Sequence, residues 1–250
     1  MSSGDYIDQK PKVFNQPLFS QSSVQKHRLG TIRELDDGRK YVYAQAGAVA
    51  LAPAKVTMAA AVSAYLQTEV VAAAAAVGDK RVYVTVNASA STLFAQNALK
   101  DGYFWTDDAS GGGDMYKIRG HAAITAGSSG YLELYDAIRV AITTSNTYGV
   151  IQNPNKGVLI ADTTPSSAIT GVPPIDVTAA YYFWNQVGGP CVCLTDGTVT
   201  VGTGVCLSNG TGGAVEAYVP ATSLDPCLGQ VLSVGATTLY SLINLHIPGY

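Results

Sequence analysis

Charged side chains are scarce in this 250-residue chain: they make up 13% of it, about half of the ~25% found in an ordinary soluble domain. A free monomer would present more charge to water, so other copies or a partner are expected to cover much of the surface. A formal charge of -3 and a pI near 5.5 give no basic face for phosphates, and nucleic-acid binding is not expected. Histidine is nearly missing, with only His27, His121 and His246. None of them stands in a nucleophile motif, since Gly127, Ser128, Ser129 and Gly130 do not make a G-x-S-x-G elbow. A Ser-His-Asp or Cys-His site needs a histidine beside the nucleophile and an acid to orient it. The sequence also has no P-loop, no dinucleotide fingerprint and no paired carboxylates in a usable setting. The expectation is a non-enzymatic protein with no catalytic residue and no cofactor.

Long apolar runs are missing too. Residues 48–77 are the most apolar stretch, but they are mostly alanine and are interrupted by Lys55, Gln67 and Glu69, so no membrane span is expected. The opening MSSGDYIDQKPK lacks the basic-then-apolar pattern of a signal peptide, and synthesis in a cytoplasm is expected. Cysteine is limited to Cys191, Cys193, Cys206 and Cys227, which stay reduced there and serve as small core residues. A C-x-C pair followed by wide gaps is a poor match to the knuckles of structural zinc. No metal is therefore expected, zinc or a late disulfide being the alternatives. Asp107, Asp108 and Asp114 flank a Gly-rich loop without EF-hand spacing and read as a solvated loop tip.

What is present is a cadence of short apolar segments punctuated by turn residues, which marks an all-β sandwich or barrel. Residues 31–35 and 39–44 flank Asp36, Asp37 and Gly38, a strong hairpin signal. Pro53 confines residues 48–58 to an edge or a turn. Residues 59–77 are ambiguous: alanine favours helix, yet Val82, Val84 and Val86 alternate on one face of a strand that needs a partner. Residues 69–77, with a turn at Gly78 and Asp79, are the expected partner. Further strand pairs are expected at 103–105 with 116–119, and at 131–136 with 138–143. A run of strands follows, at 158–161, 175–177, 181–187, 190–195, 198–201, 204–207, 214–218, 231–234 and 239–247.

The densest feature is AYYFWNQVGGPCVCLTDGTVTV, residues 180–201. Strand alternation sends Tyr181 and Phe183 to one face and Tyr182 and Trp184 to the other. One face is expected to fill the core and the other to meet a second subunit, with a hairpin at Asp196 and Gly197. The organisation expected is an extended N-terminal arm (residues 1–29), a main β domain (30–66 with 151–250) and an inserted β subdomain (67–150). Apolar pairs between the prolines of the arm, Val13 with Phe14 and Leu18 with Phe19, suit a segment that orders on a neighbour, a disordered tail being the other reading.

Several of these segments resemble virion proteins of tailed bacteriophages. They are LGTI at 29–32 with DDGR at 36–39, YVY at 41–43, AGA at 46–48, YKIR at 116–119, and GVP at 171–173 leading to TAAYYFWNQ at 178–186 and Gly189-Pro190. The chain is similar, from about residue 29 to residue 247, to head decoration (capsid cement) proteins. The resemblance implies a β-rich protein that binds the outside of the capsid, bridges major capsid protein subunits and resists the pressure of packaged DNA; a homo-oligomer, a trimer, is the expected state. Val13, Phe14, Leu18, Phe19, Tyr182 and Trp184 would be its capsid or oligomer contacts. The cysteines at 191 and 193 depart from the aliphatic residues such a protein would carry there. A tail tube or fibre component, or a carbohydrate-binding module using Trp184, are the other readings.

Overall fold

The computed structural model describes residues 13–90, 94–108, 112–164, 166–220, 226–235 and 239–250. The chain is all-β. Among the described residues it has no α-helix and only one 3-10 turn, Ala64–Leu66. The first strands are β1 (Ile32–Glu34), β2 (Lys40–Ala46) and β3 (Thr57–Met58). Next come β4 (Glu69–Ala73), β5 (Arg81–Thr85), β6 (Tyr103–Thr106), β7 (Met115–Gly120), β8 (Ser129–Leu134) and β9 (Thr147–Ile151). The remainder are β10 (Lys156–Ile160), β11 (Ile169–Gly171), β12 (Tyr182–Leu194), β13 (Gly204–Leu207), β14 (Val215–Ala217), β15 (Gly229–Ser233) and β16 (Tyr240–His246).

Strands β4 to β9 close into a six-stranded barrel in the order β4-β5-β8-β7-β6-β9. Inward positions alternate as a pleated strand requires: Val82 and Val84 on β5, Phe104 on β6, Tyr116 and Ile118 on β7, and Leu132 on β8 are buried together. These large side chains fill the interior, so the barrel is a packed core and not a pore. Closure also brings the ends of this continuous stretch together, since Glu69 on β4 pairs with Tyr148 on β9. Of the ambiguous residues 59–77, Ala64–Leu66 form the 3-10 turn and Glu69–Ala73 the strand β4, which pairs antiparallel with β5 through Val71 and Val84 as expected, while the expected strand beyond Ala73 is reduced to a bridge at Ala75. Gly149, opposite Trp105, has no room for a side chain: a Cβ there would sit 2.2 Å from the indole.

The other strands form one ten-stranded sheet in the order β11-β3-β10-β2-β12-β16-β15-β13-β14, with β1 paired to β2 across the expected Asp36–Gly38 turn. Strand β12 joins its two halves. Its first half pairs with β2, from Tyr182 opposite Gln45 to Gly188 opposite Lys40, and its second half pairs with β16, from Gly188 opposite His246 to Leu194 opposite Tyr240. Two strands were expected here, at 181–187 and 190–195; they are one, because Pro190 falls where β2 has already ended. Its missing N–H therefore costs no ladder bond, and its carbonyl accepts from Gln186 Nε2 at 2.8 Å.

Two more expectations are corrected. Residues 138–143 do not pair with β8, which lies between β5 and β7; they form a loop held by the Ile142–Ala75 bridge and by backbone hydrogen bonds of Ile138 with Gly78 and Asp79. Residues 198–201 are not a strand, so the hairpin at Asp196 and Gly197 is absent. Asp196 instead accepts a hydrogen bond from Ser208 Oγ at 2.7 Å, and that bond holds its carboxyl below the usual carboxylate range. Such local side-chain bonding competes with hairpin closure.

Candidate interaction surfaces

The aromatic face of β12 is built as the alternation requires, but both of its sides are covered. Phe183 packs with Ala44, Leu51, Val158 and Val177 on one side. Trp184 packs with Leu18, Leu29, Tyr41 and Tyr43 on the other. The cover on the second side is the chain's own N-terminal segment. Ser22 and Tyr182 exchange backbone hydrogen bonds at 3.0 and 2.8 Å. Trp184 Nε1 donates to the Gln16 carbonyl at 3.1 Å. Gln16 in turn donates to the Tyr182 carbonyl at 3.0 Å and accepts from Tyr43 Oη at 2.8 Å. Phe14 meets Trp184 edge-on at 5.3 Å, and the Arg33 guanidinium lies over Phe14 at 4.9 Å. His27 sits against Tyr43 and Trp184 with ring centroids at 5.1 and 5.3 Å. Burial, then Arg33, holds the His27 ring below its usual pKa.

This layer corrects part of the expected contact set. Trp184 is fully buried and Leu18 is 9% exposed, so neither reaches a partner, and Trp184 has no free face on which a sugar could stack. Phe14 and Tyr182 are half-buried within the same layer. Val13 and Phe19 point outward at 74% and 61% exposure and are the members of that set open to another molecule.

A second surface was not anticipated. On β16 burial alternates strictly, with Ser241, Ile243 and Leu245 inward and Tyr240, Leu242, Asn244 and His246 outward. Leu242 stands opposite Val192 of β12 and beside Ser233 of β15, and Tyr240 stands opposite Leu194. Val192, Leu232, Tyr240 and Leu242 are between 36% and 52% exposed, and no Lys, Arg, Asp or Glu occupies the outward positions of β16. Sequence alternation could not reveal this face, because Ile243 and Leu245 make the inward side of β16 equally apolar.

The remaining candidate chemistry is occupied structurally. Cys191, Cys193 and Cys206 are buried and Cys227 is exposed, all four as free thiols. The adjacent Cys191 and full burial push the Cys193 thiol well up. Asp107 accepts from the Thr68 backbone N–H, Asp108 accepts from Asn146 and the Thr147 N–H, and Asp114 is paired with Arg139. These loop carboxylates hold neighbouring chain and are not a free loop tip. His121 accepts from the Leu99 N–H at its Nε2 and faces the Ala122 carbonyl with Nδ1. Among the described residues no three His, Cys, Asp or Glu side chains are grouped to hold a metal ion, and no helix is long and apolar enough to cross a membrane. Comparison with protein-family models, with curated proteins and with solved structures finds no match to this chain.

Proposed function

We propose that the chain is a non-enzymatic virion protein of a tailed bacteriophage, which binds the outer capsid surface as a homotrimer and stabilises the lattice of the major capsid protein. The observation that carries this reading is the uncharged outward face formed by Val192, Leu232, Tyr240 and Leu242. A contiguous apolar face on a sheet of low charge favours a protein partner over water. The capsid as that partner rests on the resemblance of the LGTI, DDGR and TAAYYFWNQ segments. Val13 and Phe19, exposed at the near end of the N-terminal segment, provide a second, smaller contact.

The test is co-sedimentation of the purified protein with capsids that lack it. Wild type should pellet with the particles. Leu242→Glu and Val192→Glu, which change outward positions only, should keep the wild-type circular dichroism and stay in the supernatant. Undiminished binding by both variants would refute the assignment of this face.

A further inference from the structure

Where the N-terminal segment passes the barrel, Lys26, Arg28, Lys100 and Arg119 line two adjoining concavities of about 300 and 350 Å³ that share Lys100. So few charges occur in the chain that this grouping needs a reason. Among the described residues none of these cations makes an ion pair, and Asp101 and Glu133 are the carboxylates in the same walls. Of the acids nearby, Glu133 is paired with Arg81 at 3.1 Å. Asp101 is 1% exposed with both oxygens engaged, one by Tyr135 Oη at 3.1 Å and one by Gln25 Nε2 at 3.2 Å.

The surroundings hold the cations in place. The Arg28 guanidinium lies over the Tyr135 ring at 4.5 Å, which fixes its plane while leaving its N–H donors open to solvent. Lys100 sits in a loop whose residues Asn97 and Asp101 take the left-handed conformation, at φ 57° and 65°. Asn and Asp are the side chains other than glycine that adopt this conformation most readily. Here Asn153 Nδ2 donates to the Asp101 carbonyl at 2.9 Å and Lys156 Nζ donates to the Asn97 carbonyl at 3.1 Å, so the loop is clamped from below. Neutral polar groups complete the walls, including Gln96, Asn97 and Tyr131.

We propose that this cleft binds an acidic peptide segment of a protein partner, with one carboxylate between Lys26 and Arg28 and another between Lys100 and Arg119. Arginine forks and lysine ammonium groups are the donors that carboxylates prefer, and the amide and phenol groups of the walls suit a peptide backbone. A nucleic acid fits less well, because its phosphates would run beyond these small concavities onto a chain of net charge -3. The inference goes beyond the capsid reading and does not depend on it, since the outward face of β16 lies outside the cleft.

The probe is a hexaglutamate peptide, titrated calorimetrically into the full-length protein. Binding should weaken about tenfold or more from low to physiological salt. Arg28→Ala and Arg119→Ala should each lower affinity several-fold, and the double variant should abolish it, while Lys55→Ala, which lines neither concavity, leaves it unchanged. Both arginines are exposed, so the variants should keep the wild-type melting curve. No binding, binding indifferent to Arg28 and Arg119, or tighter binding of an oligothymidylate would each overturn the proposal. Loss of peptide binding with capsid co-sedimentation kept removes this site alone, whereas the reverse pattern removes the capsid reading alone.

Discussion

Replacing Trp184 by alanine should be among the most damaging single changes in the chain, and the reason lies in the layer that residues 13–29 form over β12. Trp184 has no exposed surface, and tryptophan-to-alanine changes at such sites cost about 3–5 kcal/mol. The change also strips the Gln16 carbonyl of its 3.1 Å donor and removes the ring that Phe14 and His27 pack against. A value near the top of that range, about 5 kcal/mol, is expected; it is a large share of the ~5–15 kcal/mol that holds a domain folded. Trp184→Phe keeps most of the packing and loses the N–H, so about 1–2 kcal/mol is expected. Phe19→Ala, at a position 61% exposed, should cost no more than about 0.5 kcal/mol. Urea unfolding followed by far-UV circular dichroism measures all three. Limited proteolysis adds an independent readout, since Trp184→Ala should expose residues 13–29 to cleavage in the folded protein. If Trp184→Ala shifts the midpoint no more than Phe19→Ala and residues 13–29 stay protected, the covered aromatic layer is wrong.

Three further outcomes follow from buried polar groups and thiols. Asn185→Ala should cost about 2–3 kcal/mol in the same unfolding assay, because Asn185 Nδ2 donates to Thr57 Oγ1 at 2.9 Å and to the Thr170 carbonyl at 3.0 Å among fully buried side chains; a change under about 0.5 kcal/mol would contradict it. Burial holds the His121 ring below its usual value of 6.5, so on acidification the unfolded chain takes up the proton first. Its contribution to stability is complete above about pH 6.5 and declines as pH falls from there toward the lower folded-state pKa. His27, lowered by burial and Arg33, acts in the same direction. Unfolding midpoints should drop between about pH 7.5 and 5.5 and drop less in His121→Gln; a flat wild-type profile would refute this. Ellman titration should find Cys227 reactive in the native protein, with Cys191, Cys193 and Cys206 reactive only in denaturant; native reactivity of Cys193 would contradict its burial.

Period and turn chemistry revealed much of the fold. Val82, Val84 and Val86 marked β5, Asp36 to Gly38 marked the β1–β2 turn, and the aromatic segment at 103–105 marked β6 opposite β7. Where the sequence misled, a distant contact decided the outcome. Pro190 and the glycines before it read as a break, but a proline is harmless where the neighbouring strand has ended, and the end of β2 cannot be seen from residue 190. Asp196 and Gly197 read as a hairpin until Ser208 took the carboxylate. Residues 13–29 read as part of a reaching arm because their covering partner lies far off, Gln16 and Trp184 being 168 residues apart; residues 1–12 of the expected arm lie outside the described residues. The apolar outward face was hidden for a different reason, since β16 is apolar on both sides. The cleft cations were likewise scattered over residues 26, 28, 100 and 119, with no local pattern to join them.

Electron microscopy of phage particles grown with and without this chain tests the central claim most directly. Trimeric density over the outer capsid faces, present only when the chain is supplied and contacting the major capsid protein through the β12–β16–β15 face, is the predicted result. Density on the tail, or capsids identical in both preparations, would contradict it.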